Sequence, residues 1–240
     1  MFSNELVNFL KSISKLSNSV ILKSPVTTGK SESKDVTFKF DVQQVGNHPE
    51  DDFGDTQIGL FDLSAFLNVI GLFGDASNRE VEFENSTIKI FNESNKANYI
   101  MTEPEILSNY VADLDQINKV ASFPTVAEFS LTVDDIKKLR TSSIAFKNLE
   151  LIQISSENEI EISLVSAGKF NKMSNSFTIK KTCNPDKVFN IKMGLETFMR
   201  LPLHDYTVNI KYNESRDAYR IMLNSQTVNG FVIQVAVKTA

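Results

Sequence analysis

Ser3-Asn-Glu-Leu6-Val-Asn-Phe9-Leu10-Lys-Ser-Ile13 and, in the second half of the chain, Thr132-Val-Asp-Asp-Ile136-Lys-Lys-Leu139 read as one kind of capped amphipathic helix occurring twice. Each opens on a hydroxyl residue that can accept from the first free amides of a helix, and each then repeats apolar residues at helical spacing. In the first, Leu6, Phe9, Leu10, Ile13 and Leu16 form one stripe, opposite Asn4, Asn8, Lys11 and Lys15. In the second, Thr132 with Asp135 reads as a capping box ahead of Ile136 and Leu139. About 60 residues after each comes another short amphipathic helix, Asp62-Leu63-Ser-Ala-Phe66-Leu67-Asn-Val-Ile70 and Met193-Gly-Leu195-Glu-Thr-Phe198-Met199-Arg200. Equivalent helices lie about 130 residues apart, so the chain reads as one unit built twice.

Strand patterns fill the intervals: 20–23, 36–40, 57–61, 80–83, 87–91 and 98–101 in the first half, then 127–131, 149–155, 160–165, 177–181, 188–192, 207–212, 219–223 and 231–237 in the second. Polar loops are predicted at 25–35 and at 46–55, the latter acidic through Glu50, Asp51, Asp52 and Asp55. Residues 103–125 lack clean periodicity and contain Pro104 and Phe123-Pro124, so they read as a connector between a domain at 1–102 and a domain at 126–240. The expected class is α+β, with sheet dominant.

Composition narrows the function classes. The 240 residues are 41% apolar and 23% charged, ordinary values for a globular protein. No apolar run approaches the roughly 20 residues needed to cross a bilayer, and Met1-Phe-Ser-Asn-Glu5 carries no secretory pattern. A single cysteine, Cys183, excludes an internal disulfide framework and suits a reducing compartment. The net charge of −5 is uneven: residues 1–120 hold 10 Lys and Arg against 18 Asp and Glu, whereas residues 121–240 hold 15 against 12. An acidic half can meet a more basic half head to tail, and such contacts close into a ring when the rotation permits.

Several stretches together resemble the tailed-phage DNA polymerase sliding clamps of the PCNA-like superfamily. Leu6 to Lys23, with the first helix running into Val20-Ile-Leu-Lys23, is similar to the opening of that family; so is Ile58-Gly-Leu-Phe-Asp-Leu63-Ser-Ala-Phe66-Leu67. Thr87-Ile-Lys-Ile-Phe91, Phe123-Pro124, the Asp-Asp-Ile-Lys-Lys-Leu139 helix, and Phe189-Asn-Ile191 through Pro202 and Tyr206 follow in family order. The resemblance implies the DNA-clamp fold, two duplicated domains each with outer antiparallel sheets and two inner helices. It implies a homotrimeric ring of six pseudo-repeats around duplex DNA in the cytoplasm of an infected bacterium. The implied function is that of a processivity factor tethering the replicative DNA polymerase, with a clamp loader and late-transcription factors as further partners. Partner tails would insert apolar side chains near the connector. The strands near 98–101 and 177–181 would pair across the subunit boundary, which puts Tyr99, Met101, Thr178, Lys180 and Lys181 at that interface.

A ring that slides must hold phosphates weakly and without base readout, so cations are wanted on the polar helix faces. Those faces offer Lys11 and Lys15, then Lys137, Lys138 and Arg140, and then Arg200 beside Glu196 and Thr197; the helix at 62–70 offers none. These six are the expected DNA-facing residues. No enzyme is expected. Ser24-Pro-Val-Thr-Thr-Gly29-Lys30-Ser31 ends like a phosphate-binding loop, but it begins on serine and runs into a strand pattern. His48 and His204 lack metal-ligand spacing, and the acidic loop is no EF-hand, so no metal or cofactor is expected. A phage assembly protein of duplicated β-rich domains is the alternative reading.

Overall fold

The computed structural model describes residues 2–46, 51, 53–157, 159–167 and 175–239; His48, Glu50 and Asp52 lie outside them. Contacts divide the chain into two units, Met1–Leu114 with Val228–Phe231, and Asp115–Thr227 with Val232–Ala240.

Unit 1 runs α1 (Asn4–Ile13), β1 (Val20–Leu22), β2 (Val26–Lys30), β3 (Val36–Asp41), α2 (Val42–Gly46), β4 (Ile58–Leu60), α3 (Leu63–Gly71), β5 (Glu80–Glu84), β6 (Thr87–Phe91) and β7 (Lys96–Ile100). Ser3 caps α1, its Oγ accepting from Leu6 N at 3.0 Å. Asp62 caps α3 by accepting from Ala65 N at 2.8 Å. The apolar stripe of α1, Leu6, Val7, Phe9, Leu10 and Ile13, is fully turned inward. There Phe9 meets Phe40 and Phe231 edge-on, both at 4.9 Å, while Phe2 meets Phe66 at 5.1 Å. Each such buried ring contributes about 1.5–3 kcal/mol from removal of apolar surface. Phe231 is therefore a core residue of unit 1, although sequence order places it in the second half.

Unit 2 runs α4 (Leu114–Ala121, whose first residue belongs to unit 1), β8 (Thr125–Leu131), α5 (Val133–Ala145), β9 (Leu151–Ser156), β10 (Ile160–Val165), β11 (Phe177–Lys181), β12 (Phe189–Gly194), α6 (Leu195–Arg200), β13 (Tyr206–Asn213), β14 (Ala218–Ser225), β15 (Val232–Ala236) and β16 (Lys238–Thr239). The order from α5 to β15 repeats that from α1 to β7, apart from the short α2. So do the ladders. β1 pairs with β4 as β9 pairs with β12, and β2 with β3 as β10 with β11. The run β5–β6–β7 matches β13–β14–β15. All these pairings are antiparallel. Unit 2 adds β8, which pairs along β13, and β16, which pairs with β12.

Two sequence expectations need correction. The supposed polar loop at 25–35 contains β2, in register with β3 from Val26 opposite Asp41 to Lys30 opposite Thr37. Gly29 is required in that strand because the Phe38 ring lies over it: a Cβ there would sit 2.2 Å from Phe38 Cζ. The Gly29-Lys30-Ser31 sequence is thus a hairpin edge under an aromatic ring and offers no phosphate cradle. The supposed connector at 103–125 holds a 3-10 turn at Ser108–Tyr110 and the helix α4, with Ile117 buried.

Candidate nucleic-acid interface

In unit 1, α1 and α3 lie side by side and antiparallel, because asparagines join their opposite ends. Asn18, in the turn after α1, accepts at Oδ1 from Ser64 N at 3.0 Å and Ser64 Oγ at 2.8 Å, and its carbonyl accepts from Leu63 N at 2.7 Å. At the other end Asn4 Oδ1 accepts from Ala76 N at 2.9 Å. The solvent side of α1 then presents Glu5, Asn8 and Lys11, with exposed Lys15 in the turn just beyond the helix. Lys11 Nζ lies 3.5 Å from Asn8 Oδ1. The exposed positions of α3 are Ser64, Asn68 and Gly71, all neutral.

In unit 2, α5 and α6 take the same arrangement with different chemistry. The capping box is present, with Thr132 Oγ1 accepting from Asp135 N at 3.2 Å and Thr132 N donating to Asp135 Oδ2 at 2.9 Å. The same carboxylate receives Lys181 of β11, in an ion pair whose side chains are only 11% and 19% exposed. Burial by itself would raise the Asp135 pKa; the hydrogen bonds from Lys181 and Thr132 outweigh it and hold the carboxyl below its ordinary range. Val133 N donates to Asp205 Oδ1 at 2.7 Å, tying the start of α5 to the chain leaving α6. Toward the far end, Arg140 donates through Nη2 to Phe198 O at 3.2 Å and Leu201 O at 2.5 Å, closing the open carbonyls of α6.

The expected DNA-facing residues therefore separate into two groups. Lys11, Lys15, Lys137 and Lys138 are exposed, and among the described residues none of them forms an ion pair. Arg140 does not join them: its guanidinium is half-buried on α6, and burial lowers its pKa. Arg200 is paired with Glu196 one turn earlier on α6. Arg140 sits beside Leu139 and four residues after Ile136, on the flank of the apolar stripe, and that flank position is the only sequence sign of its inward role.

The expected interface residues separate in the same way. β7 is an edge strand of the sheet β5–β6–β7, and β11 is the edge strand beside β10. Tyr99, however, points into unit 1, its hydroxyl donating to Asp62 O at 3.0 Å and its ring 5.1 Å from Phe66. Lys181 is held by Asp135, and Lys180 by Glu161 of β10 and Glu159 just before it, so neither is an uncommitted cation awaiting an acidic neighbour. Thr178 Oγ1 lies 2.8 Å from Ser163 Oγ, and Met101 N donates to Ser86 O at 2.7 Å. The outward row of β7 is instead Lys96, Asn98 and Ile100, the last 76% exposed.

No family model and no curated protein sequence matches the chain. Solved structures do. Proliferating cellular nuclear antigen from Entamoeba histolytica superposes with a TM-score of 0.67 at 10% identity, over 98% of this chain and 95% of that one. The antigen from A. fulgidus, solved with the C-terminal region of FEN-1 bound, superposes with a TM-score of 0.62 at 11% identity, over 98% and 95%. The chain has the PCNA-like clamp fold. That fold accounts for the doubled order of helices and strands from α1 to β15, and for the spacing of about 130 residues between equivalent helices.

Proposed function

We propose that this chain is a sliding clamp, a non-enzymatic processivity factor that encircles duplex DNA as a homotrimer and tethers a replicative DNA polymerase of a tailed phage in its bacterial host. The reading rests on one observation: Lys11 and Lys15 in or just after α1, and Lys137 and Lys138 on α5, are exposed cations that form no ion pair among the described residues, on equivalent helices of a clamp fold. Ammonium groups on mobile stems give attraction to phosphates without base readout, so the complex can slide, and salt weakens it. The ring would close by pairing the β7 edge of one copy with the β11 edge of the next. Exposed Ile100 would then be covered, and neither edge strand would be left open. A clamp loader would open that junction, and tails of partner proteins would dock as the FEN-1 segment does on the A. fulgidus protein.

The deciding experiment loads the protein onto nicked circular DNA with its loader and then linearises the DNA. Retention on the circle and release from the linear form support a topological hold; equal retention on both refutes it. Light scattering at tens of micromolar checks the ring, and a strict monomer there overturns it.

A further inference from the structure

The repeat is broken at one sheet edge. In unit 2, β13 is flanked by β14 on one side and β8 on the other. In unit 1, β5 is flanked by β6, and among the described residues nothing pairs with its other side. The difference shows in burial: Tyr206, Val208 and Ile210 of β13 are at most 1% exposed, whereas in β5 only Val81 is half-buried, and Phe83 is 37% exposed.

The occupied edge shows what fits the open one. β8 lays an apolar row, Ala127, Phe129 and Leu131, beside the buried row of β13, and its other row carries Glu128, which accepts from Asn209 at 3.0 Å. On β5 the row equivalent to Thr207 and Asn209 is Glu80, Glu82 and Glu84. Lys89 of β6 neutralises Glu84, but among the described residues no cation pairs with Glu80 or Glu82. The inward row, Val81 and Phe83, is backed by Phe2 and Phe53, whose rings lie 6.2 and 6.1 Å from Phe83.

We propose that β5 is a docking edge for an extended, basic segment of a partner protein, which adds a strand with Lys or Arg at alternate positions facing the glutamates and apolar residues between them. Main-chain hydrogen bonds would supply affinity, and the glutamate row would select the sequence. Pairing of β5 with the β5 of a second copy is disfavoured, because it would bring glutamates against glutamates. An acidic edge also repels nucleic acid. Charged residues on an edge commonly serve to block aggregation, and the same residues admit a strand of opposite charge.

The test uses the full-length protein and a capped peptide containing Lys-Val-Lys-Val-Lys, at low ionic strength, read by amide hydrogen exchange of residues 79–86 and by fluorescence anisotropy. The expected result is at least about fivefold slower exchange at 80–84 on peptide addition, together with saturable binding. Methylating alternate peptide amides, which keeps the charges but removes the donors, should abolish the protection. The double variant Glu80→Lys/Glu82→Lys, at exposed positions that leave packing intact, should weaken binding at least about tenfold. Absence of protection, equal binding by the methylated peptide, or undiminished binding by the variant overturns the proposal. Protection of 80–84 that grows with protein concentration without peptide also overturns it, since a second copy would then hold the edge. None of these readouts involves DNA, so they stand or fall separately from the clamp reading.

Discussion

Units 1 and 2 tie down their helix pairs with different chemistry. In unit 1 two asparagines make the link between α1 and α3: Asn18 receives Ser64 and donates to Asp62, and Asn4 receives Ala76 and donates to Asp75. In unit 2 charged side chains of α5 make the links: Asp135 pairs with Lys181 of β11, and the Arg140 guanidinium donates to the last carbonyls of α6. The repeat therefore keeps the helix pair and leaves the chemistry of its links free. Charged links also consume cations that a polar helix face would otherwise show to solvent, and for that reason Arg140 and Lys181 leave the set of interaction residues. What remains exposed is balanced across the repeat, two lysines at α1 and two on α5.

That balance can be broken directly. Replacing Lys11, Lys15, Lys137 and Lys138 together by Glu should lower polymerase stimulation at moderate salt at least about tenfold while light scattering shows an unchanged assembly. Reversing the unit 1 pair and the unit 2 pair separately should give comparable partial losses. A loss confined to one pair would show that only that unit carries DNA.

The ion pair of unit 2 and the asparagine link of unit 1 should also differ in stability. Asp135→Ala removes a largely buried partner of Lys181 and half of a capping box, and should destabilise unit 2 by about 3 kcal/mol in denaturant unfolding. Asn18→Ala removes the side-chain hydrogen bonds to Ser64 and Asp62 at the start of α3 and should cost unit 1 about 1–2 kcal/mol. A larger loss at Asn18 than at Asp135 would reverse the ranking of the two kinds of link.

The pH response sharpens the contrast. The folded-state pKa of Asp135 is depressed, so its contribution to stability is fully present above the ordinary carboxylate pKa and is lost as the pH falls through the lower, folded value. Asp135→Asn should therefore flatten the acid limb of the unit 2 stability profile. The smallest effect is expected at the open edge: Glu82→Lys alone should shift stability by no more than about 0.5 kcal/mol, because the side chain is exposed.

Much of this architecture is legible in residue order. The strands at 160–165 and 177–181 coincide with β10 and β11, and Ser3, Asp62 and Thr132 cap the helices they precede. β2 is not legible, because Val26-Thr-Thr-Gly-Lys30 has no apolar alternation. Its Thr27 and Thr28 are nonetheless 0% and 3% exposed, and Thr28 is satisfied by the carbonyl of Ala112, 84 residues away. α4 is missed because its apolar face buries only Ile117. The exchange of Val228–Phe231 into unit 1 has no local signal either.

Residue order alone sets the doubled helix pair, the dominance of strand over helix and the presence of cations on polar helix faces, since periodicity, capping chemistry and charge are local properties of adjacent residues. Tertiary packing settles which of those cations form no ion pair among the described residues, that Tyr99 turns inward, and that β5 is an open edge among the described residues while β13 is covered. Partners such as Asp135 for Lys181 or Phe198 for Arg140 lie dozens of residues off, and a side chain's charge is available to a ligand only after the fold has claimed what it needs.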